Sequence, residues 1–119
     1  MTPPYRVLVV DDSAFMRAAV TRLLASDPRF QVVGQAADGE QAISLARALA
    51  PDLITMDFAM PGVDGAAATR AILAERATPI VMLSAHTRAG ARETLAALAA
   101  GAVDFVTKPD GEVSTHLTA

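Results

Sequence analysis

The sequence predicts an α/β fold built on an open, parallel, five-stranded sheet. Three observations carry that reading. Short aliphatic runs alternate with segments of helical spacing along the chain. The runs carry apolar residues toward both faces, as strands covered by helices do. The order is strand then helix four times, closed by a last strand, and right-handed crossovers leave few topologies for that order.

Each element has a local reason. RVLVV (6–10) is a short buried strand. Residues 13–26 place Met16, Val20, Leu23 and Leu24 at helical spacing, and Asp27-Pro28 ends that helix. QVVGQA (31–36) is the second strand. From Asp38, a suitable N-cap, a helix runs to Leu49 with Ile43, Ala46 and Leu49 on one face, and Pro51 stops it. DLITMD (52–57) is the third strand, and FAMPGVD a loop. Residues 65–76 are Ala-rich and helical. PIVMLS (79–84) is the fourth strand. Residues 88–100 form a helix with Ala91, Leu95 and Leu98 on its apolar face and Gly101 as its stop. AVDFVT (102–107) is the fifth strand, closed by Lys108-Pro109.

Composition narrows the function classes. The 119 residues suit one domain, and with 52% hydrophobic but 4% aromatic residues the core must be aliphatic. A net charge of −3 and the lack of a basic stretch argue against a nucleic-acid surface. With no cysteine, disulfides, zinc thiolates and cysteine nucleophiles are excluded. The N-terminal apolar run is too short for a signal peptide, and no stretch approaches the ~18 apolar residues that span a bilayer. A cytoplasmic protein without membrane insertion is the expectation.

In an open parallel sheet, function collects at the carboxyl ends of the strands. Here the first strand ends in Asp11-Asp12, the third in Asp57, the fourth in Ser84 and the fifth near Lys108. Singly, each has an ordinary role: Asp12 as a helix cap, Asp57 as a turn residue, Ser84 as a local cap, Lys108 as a solvated surface lysine. Together they place three carboxylates, a hydroxyl and an ammonium on one edge. Clustered carboxylates resist ionisation, and a hard dication such as Mg²⁺ relieves them. Asp12 and Asp57 are the direct ligands in that reading, with Asp11 acting through water and a loop carbonyl beyond Asp57 adding an oxygen. A carboxylate can also form an acyl phosphate. Lys108 and Ser84 suit the remaining phosphoryl oxygens, and Asp57, on the middle strand, is the nucleophile candidate.

The pieces VLVVDDS, DLITMDFAMPGVDG, PIVMLSA and GAVDFVTKP, in that order across residues 5–109, resemble response-regulator receiver domains. The resemblance implies a doubly wound, flavodoxin-like sheet of order 2-1-3-4-5. It implies that Asp57 accepts a phosphoryl group from a histidine kinase. It implies Mg²⁺ (or Mn²⁺) held by Asp12, Asp57 and the backbone carbonyl of Ala59 with Asp11 assisting, and a grip on the phosphoryl group by Ser84 and Lys108. Phe105 matches the aromatic switch position: phosphorylation would draw Ser84 inward and let Phe105 fill the vacated space. The Lys108–Pro109 bond is expected to be cis. Ala59 is small where many receivers carry a polar or acidic residue.

DDSAFMR, the TR-x-G before the fourth helix, GAVDFV and KPDG are similar to the regulatory domain of chemotaxis-type protein-glutamate methylesterases. That resemblance implies a chemotaxis-type kinase, an attached or separate methylesterase domain and, through it, chemoreceptors as partners. No G-x-S-x-G elbow is present, so this chain carries no esterase site, and His86 and His116 are read as loop or surface residues. The receiver is expected over residues 5–109, with 110–119 a tail or the start of a linker. DGEVSTHLTA lacks a helical apolar stripe, so a fifth helix is expected to be missing and apolar surface left open. Two other readings are a stand-alone receiver acting by partner binding or phosphate relay, and an aspartate-nucleophile phosphatase. The phosphatase reading is weakened by the adjacency of the acids after the first strand.

Overall fold

The structure is a computed structural model that describes residues 4–84 and 91–108, and of residues 91–94 only the backbone. The elements are β1 (Tyr5–Val10), α1 (Ala14–Ala25), β2 (Phe30–Ala36), α2 (Gly39–Leu49), β3 (Leu53–Asp57), α3 (Gly65–Glu75), β4 (Ile80–Ser84), α4 (Ala91–Ala100) and β5 (Asp104–Thr107). All strand pairs are parallel and the sheet order is β2-β1-β3-β4-β5, as the sequence led us to expect. Among the described residues no helix follows β5, and none is long and apolar enough to cross a membrane. The expected cis bond at Pro109, the 110–119 tail, His86, His116 and the TR-x-G stretch lie outside the described residues.

The sheet order dictates the layers. The chain steps one way from β1 to β2 and the other way through β3, β4 and β5, so right-handed crossovers send α1 to one face and the later helices to the other. The larger core lies under α2, α3 and α4, where Leu8, Val10, Ile54, Met56, Ile80 and Met82 meet helix alanines and Ile72. The smaller core joins Val7, Val9 and Leu83 to Val20 of α1. Beside α1, among the described residues, Val20, Leu24, Phe30, Leu83 and Val106 line an apolar groove of about 450 Å³. Among the described residues, α1 is the only helix on this face of the sheet.

Three helices begin at side-chain caps, which satisfy otherwise orphaned amides. Ser13 Oγ accepts from Met16 N at 3.2 Å, Asp38 Oδ1 from Gln41 N at 2.8 Å, and Asp64 Oδ1 from Ala67 N at 2.8 Å. Asp38 is the cap its position suggested. Asp12 is not a cap: Ser13 takes that role, and Asp12 is left exposed.

The apolar face expected for the fourth helix is corrected. Leu95 and Leu98 are 64% and 48% exposed, whereas Ala97 and Ala100 are buried. Small side chains let α4 lie close against α3 and the sheet, and that turns the leucines outward. Gly101 does end the helix, with φ +110° and its N–H donating to Leu98 O at 3.0 Å.

At the amino end of the middle strand the chain also turns sharply, between α2 and β3. Ala50 closes α2 in the left-handed region, φ 46° and ψ 60°, immediately before Pro51. Arg6 holds this turn: its Nη1 donates to Leu49 O at 2.7 Å and Ala50 O at 3.2 Å, and its backbone N–H donates to Asp52 Oδ2 at 2.9 Å. A Cβ is strained in this conformation and glycine is not. Ala50→Gly is therefore expected to stabilise the fold by about 0.5–1 kcal/mol, read as a rise in the urea midpoint at unchanged slope.

Candidate functional site

The strand ends converge as the sequence indicated. Asp11 leaves β1 with its N–H donating to Ala36 O at 3.1 Å, and Asp57 is the last residue of β3. Both residues are about 1% exposed. Asp57 is thus a buried strand-end residue and not a turn residue. Ser84, also buried, ends β4, and Lys108 follows β5 with its N–H donating to Ser84 O at 2.6 Å. Lys108 is not a solvated surface lysine. Its side chain is 9% exposed, and its Nζ lies 2.9 Å from Asp11 Oδ2 and 3.0 Å from Asp57 Oδ1.

Further contacts fix Asp11. Its Oδ1 accepts from Ser13 N at 2.9 Å, so the turn that caps α1 also orients the carboxylate. Arg17 Nη1 donates to Asp11 O at 2.7 Å. Asp12 projects into solvent, yet one carboxylate oxygen from each of Asp11, Asp12 and Asp57 lies within 4.8 Å of the others.

The electrostatics are unbalanced. Burial pushes the Asp57 carboxyl up to about 6; Lys108 opposes the shift, and the negative charge of Asp11 adds to it. Burial alone would lower the Lys108 pKa, but its bonds to Asp11 and Asp57 outweigh that and hold it above the ordinary lysine value. One ammonium faces three carboxylates, and Asp57 Oδ2 is buried without a hydrogen-bond partner. An unpartnered carboxylate oxygen next to an accessible second carboxylate fits a hard, oxygen-seeking cation. The arrangement can therefore hold a metal ion.

The loop after β3 is pinned by contacts that the sequence did not reveal. Phe58 N–H donates to Leu83 O at 2.9 Å, and Gly65 N–H donates to Phe58 O at 3.0 Å. A Cβ on Gly65 would come within 2.2 Å of Asp57 O, and one on Gly39 within 2.4 Å of Val63 O. These glycines allow α2 and α3 to begin directly against the loop that carries Ala59, which is exposed. Phe58, on the same loop, packs edge-on against Phe105 at 5.7 Å between ring centroids. The sequence signals for the two close helix starts were the Asp-Gly pairs at 38–39 and 64–65.

The sequence profile described as the response regulator receiver domain matches residues 7–117. The chain belongs to the receiver-domain family. The receiver is 54% identical over 114 residues to a protein-glutamate methylesterase/protein-glutamine glutaminase of Symbiobacterium thermophilum, covering 96% of this chain and 32% of that protein. It spans about a third of the length of the curated relatives it matches. Among solved structures it resembles the response regulator domain of Thermotoga maritima CheB, with 45% identity, a TM-score of 0.84, and coverage of 96% of this chain and 90% of that one. It also resembles a chain of the CheX–CheY–BeF3–Mg²⁺ complex from Borrelia burgdorferi, with 28% identity, a TM-score of 0.82, and coverage of 95% and 84%.

Two predictions follow from the geometry of the receiver site. Asp57 holds its proton to about pH 6 when folded, against 3.8 ordinarily, so it favours the metal-free fold below pH 3.8 and loses that contribution as pH rises through about 6. In urea titrations across that window, wild type should lose stability relative to Asp57→Asn as pH rises, and an added divalent cation should restore it above pH 6. The second prediction concerns backbone space. Gly65→Ala must displace the Asp57 carbonyl, so we expect a loss of about 1–3 kcal/mol in the same titrations, with weakened cation affinity by calorimetry.

Proposed function

We propose that this receiver is a phosphorylation-dependent regulatory domain whose phosphoacceptor is Asp57. The observation that carries the reading is the buried Asp57 carboxylate, with Lys108 on one oxygen and the other without a partner, beside Asp11 and Asp12. A carboxylate oxygen of Asp57 attacks the phosphorus of a phosphohistidine presented by a histidine kinase. The new O–P bond forms as the P–N bond breaks, and the electron pair leaves with the imidazole. Asp57 attacks as the carboxylate, so a value near 6 in the metal-free protein leaves it competent at neutral pH.

Asp12, Asp57 and the Ala59 carbonyl would hold Mg²⁺, or Mn²⁺, with Asp11 orienting its waters; when bound, the ion supplies charge neutralisation at the phosphoryl oxygens. Lys108 moves its ammonium from Asp57 to a phosphoryl oxygen without leaving Asp11. The Ser84 hydroxyl donates to another, and Phe105 follows as the switch residue. That a similar receiver fold occurs in a complex containing BeF3 and Mg²⁺ supports the choice of ion.

The output is most economically a protein-glutamate methylesterase joined to this receiver and restrained by it until phosphorylation. The similarity to such enzymes over nearly the whole chain supports that assignment. A chemotaxis-type kinase is then the donor, chemoreceptors are the substrates of the joined enzyme, and the setting is the cytoplasm.

A small-molecule phosphodonor with Mg²⁺ should add one phosphoryl group to wild type by intact mass. Asp57→Ala should add none, and Lys108→Arg, which keeps the counter-charge of the buried acids, should fold but lose the conformational response. Phosphorylation of Asp57→Ala, or of wild type without a divalent cation, would overturn the assignment.

A further inference from the structure

Phe58 directly follows the phosphoacceptor candidate, and its main chain is held on both sides. Its N–H bonds to β4 through Leu83 O, and its C=O accepts from Gly65 at the start of α3. The ring therefore has a fixed origin. Strand alternation continues from Met56 to Phe58 on the face that carries Met82 and Ser84, which is also the face where Phe105 packs. On that face the Phe58 and Phe105 rings meet at 69° and 5.7 Å, an edge-to-face arrangement. Both rings are half-buried against the larger core.

Phe105 also packs against the larger core. It lies on β5, a four-residue strand at the sheet edge whose other residues, Asp104, Val106 and Thr107, are exposed. An aromatic ring on an edge strand takes its position from whatever it packs against. The described aromatic contact of Phe105 is Phe58. Lys108 lies three residues further along the same chain and is ion-paired to Asp57. The segment 57–58 thus touches the segment 105–108 twice, once by charge and once by ring.

We propose that Phe58 is a positioning residue that sets the location of the Phe105 ring and links it to events at Asp57. This deepens the receiver reading and rests on it. When Lys108 exchanges Asp57 for a phosphoryl oxygen, the charge contact changes while the ring contact persists. Phe58 is then the fixed edge about which Phe105 moves.

The test uses the full chain with ring-labelled phenylalanine. The chain has only four phenylalanines, so single substitutions assign the signals. Beryllofluoride with Mg²⁺ serves as the phosphoryl mimic, and the fluorine resonances of the bound mimic report loading separately. In wild type, loading should move the Phe105 ring signal. In Phe58→Leu, loading should persist while the Phe105 change falls roughly threefold or more, the scale set by an aromatic pair. Phe58→Tyr, which keeps the ring, should restore it.

Circular dichroism checks that each variant folds. Should Phe58→Leu fail that check, Phe105→Leu gives the reciprocal reading, because the Phe58 signal of the unloaded protein should then shift. Normal loading of Phe58→Leu with an unchanged Phe105 response would overturn this inference alone. Absence of loading in folded wild type would instead overturn the assignment of the site, and the inference with it.

Discussion

The ion pair of Lys108 with Asp11 and Asp57 is the constraint on which the arrangement depends. It joins the ends of β1, β3 and β5, which are otherwise separate in sequence, in a pocket where neither carboxylate reaches bulk water. Burying two carboxylates without a counter-charge would be strongly unfavourable, and removing one partner of such a group is worse than never having built it. Lys108 therefore offsets the burial of the acids, and the acids hold the end of β5. That strand pairs with β4 alone, is only four residues long and is largely exposed. Its attachment at the site end rests on the Lys108 N–H bond to Ser84 O and on the ammonium that follows.

The offset is incomplete, which makes the site a place for chemistry as well as a clasp. Asp57 is pushed up to about 6, and its second oxygen has no hydrogen bond. Sites that break local rules in this way persist when the surrounding structure over-determines them. Here the surroundings do so. Asp11 is oriented by Ser13 and Arg17, the main chain at Asp57 is hemmed in by Gly65, and Phe58 is bonded to both neighbouring elements. The strands behind the acids are fully buried at Leu8, Val10, Ile54 and Met56. The unfavourable charge arrangement is built on the most deeply buried part of the sheet.

The sheet and the acid cluster were legible because both are written in local pattern. Aliphatic runs and helical spacing locate the strands and helices, and the topology rule then carries Asp11, Asp12, Asp57, Ser84 and Lys108 to one edge. What escaped is set by contacts through space. Nothing local distinguishes Asp12 from Ser13 as the cap of α1, since both are good N-cap residues; the demand of Asp11 for the Ser13 amide separates them. The leucines of α4 match a buried stripe at helical spacing, yet alanines lie against the sheet because the space beside α3 admits only small side chains. The 2.2 Å approach that requires Gly65, and the ring contact between Phe58 and Phe105, join positions that no periodicity connects.

The distribution of packing says where a change at Asp57 can be felt. β1, β3 and β4 are largely buried, and close-packed interiors do not deform by small amounts. β5 and α4 are different: Leu95, Leu98, Val103 and Val106 all stand open to solvent, so fewer buried contacts resist their displacement. A shift of Lys108 away from Asp57 would therefore act on the least anchored edge of the sheet and leave the core strands in place. The same residues form the largest exposed apolar side chains in that region, so any displacement there alters the surface most suited to burial against another polypeptide. A change of charge at one strand end would in this way reach the neighbouring edge, through Lys108 along the chain and, as proposed for Phe58, through the two rings across it.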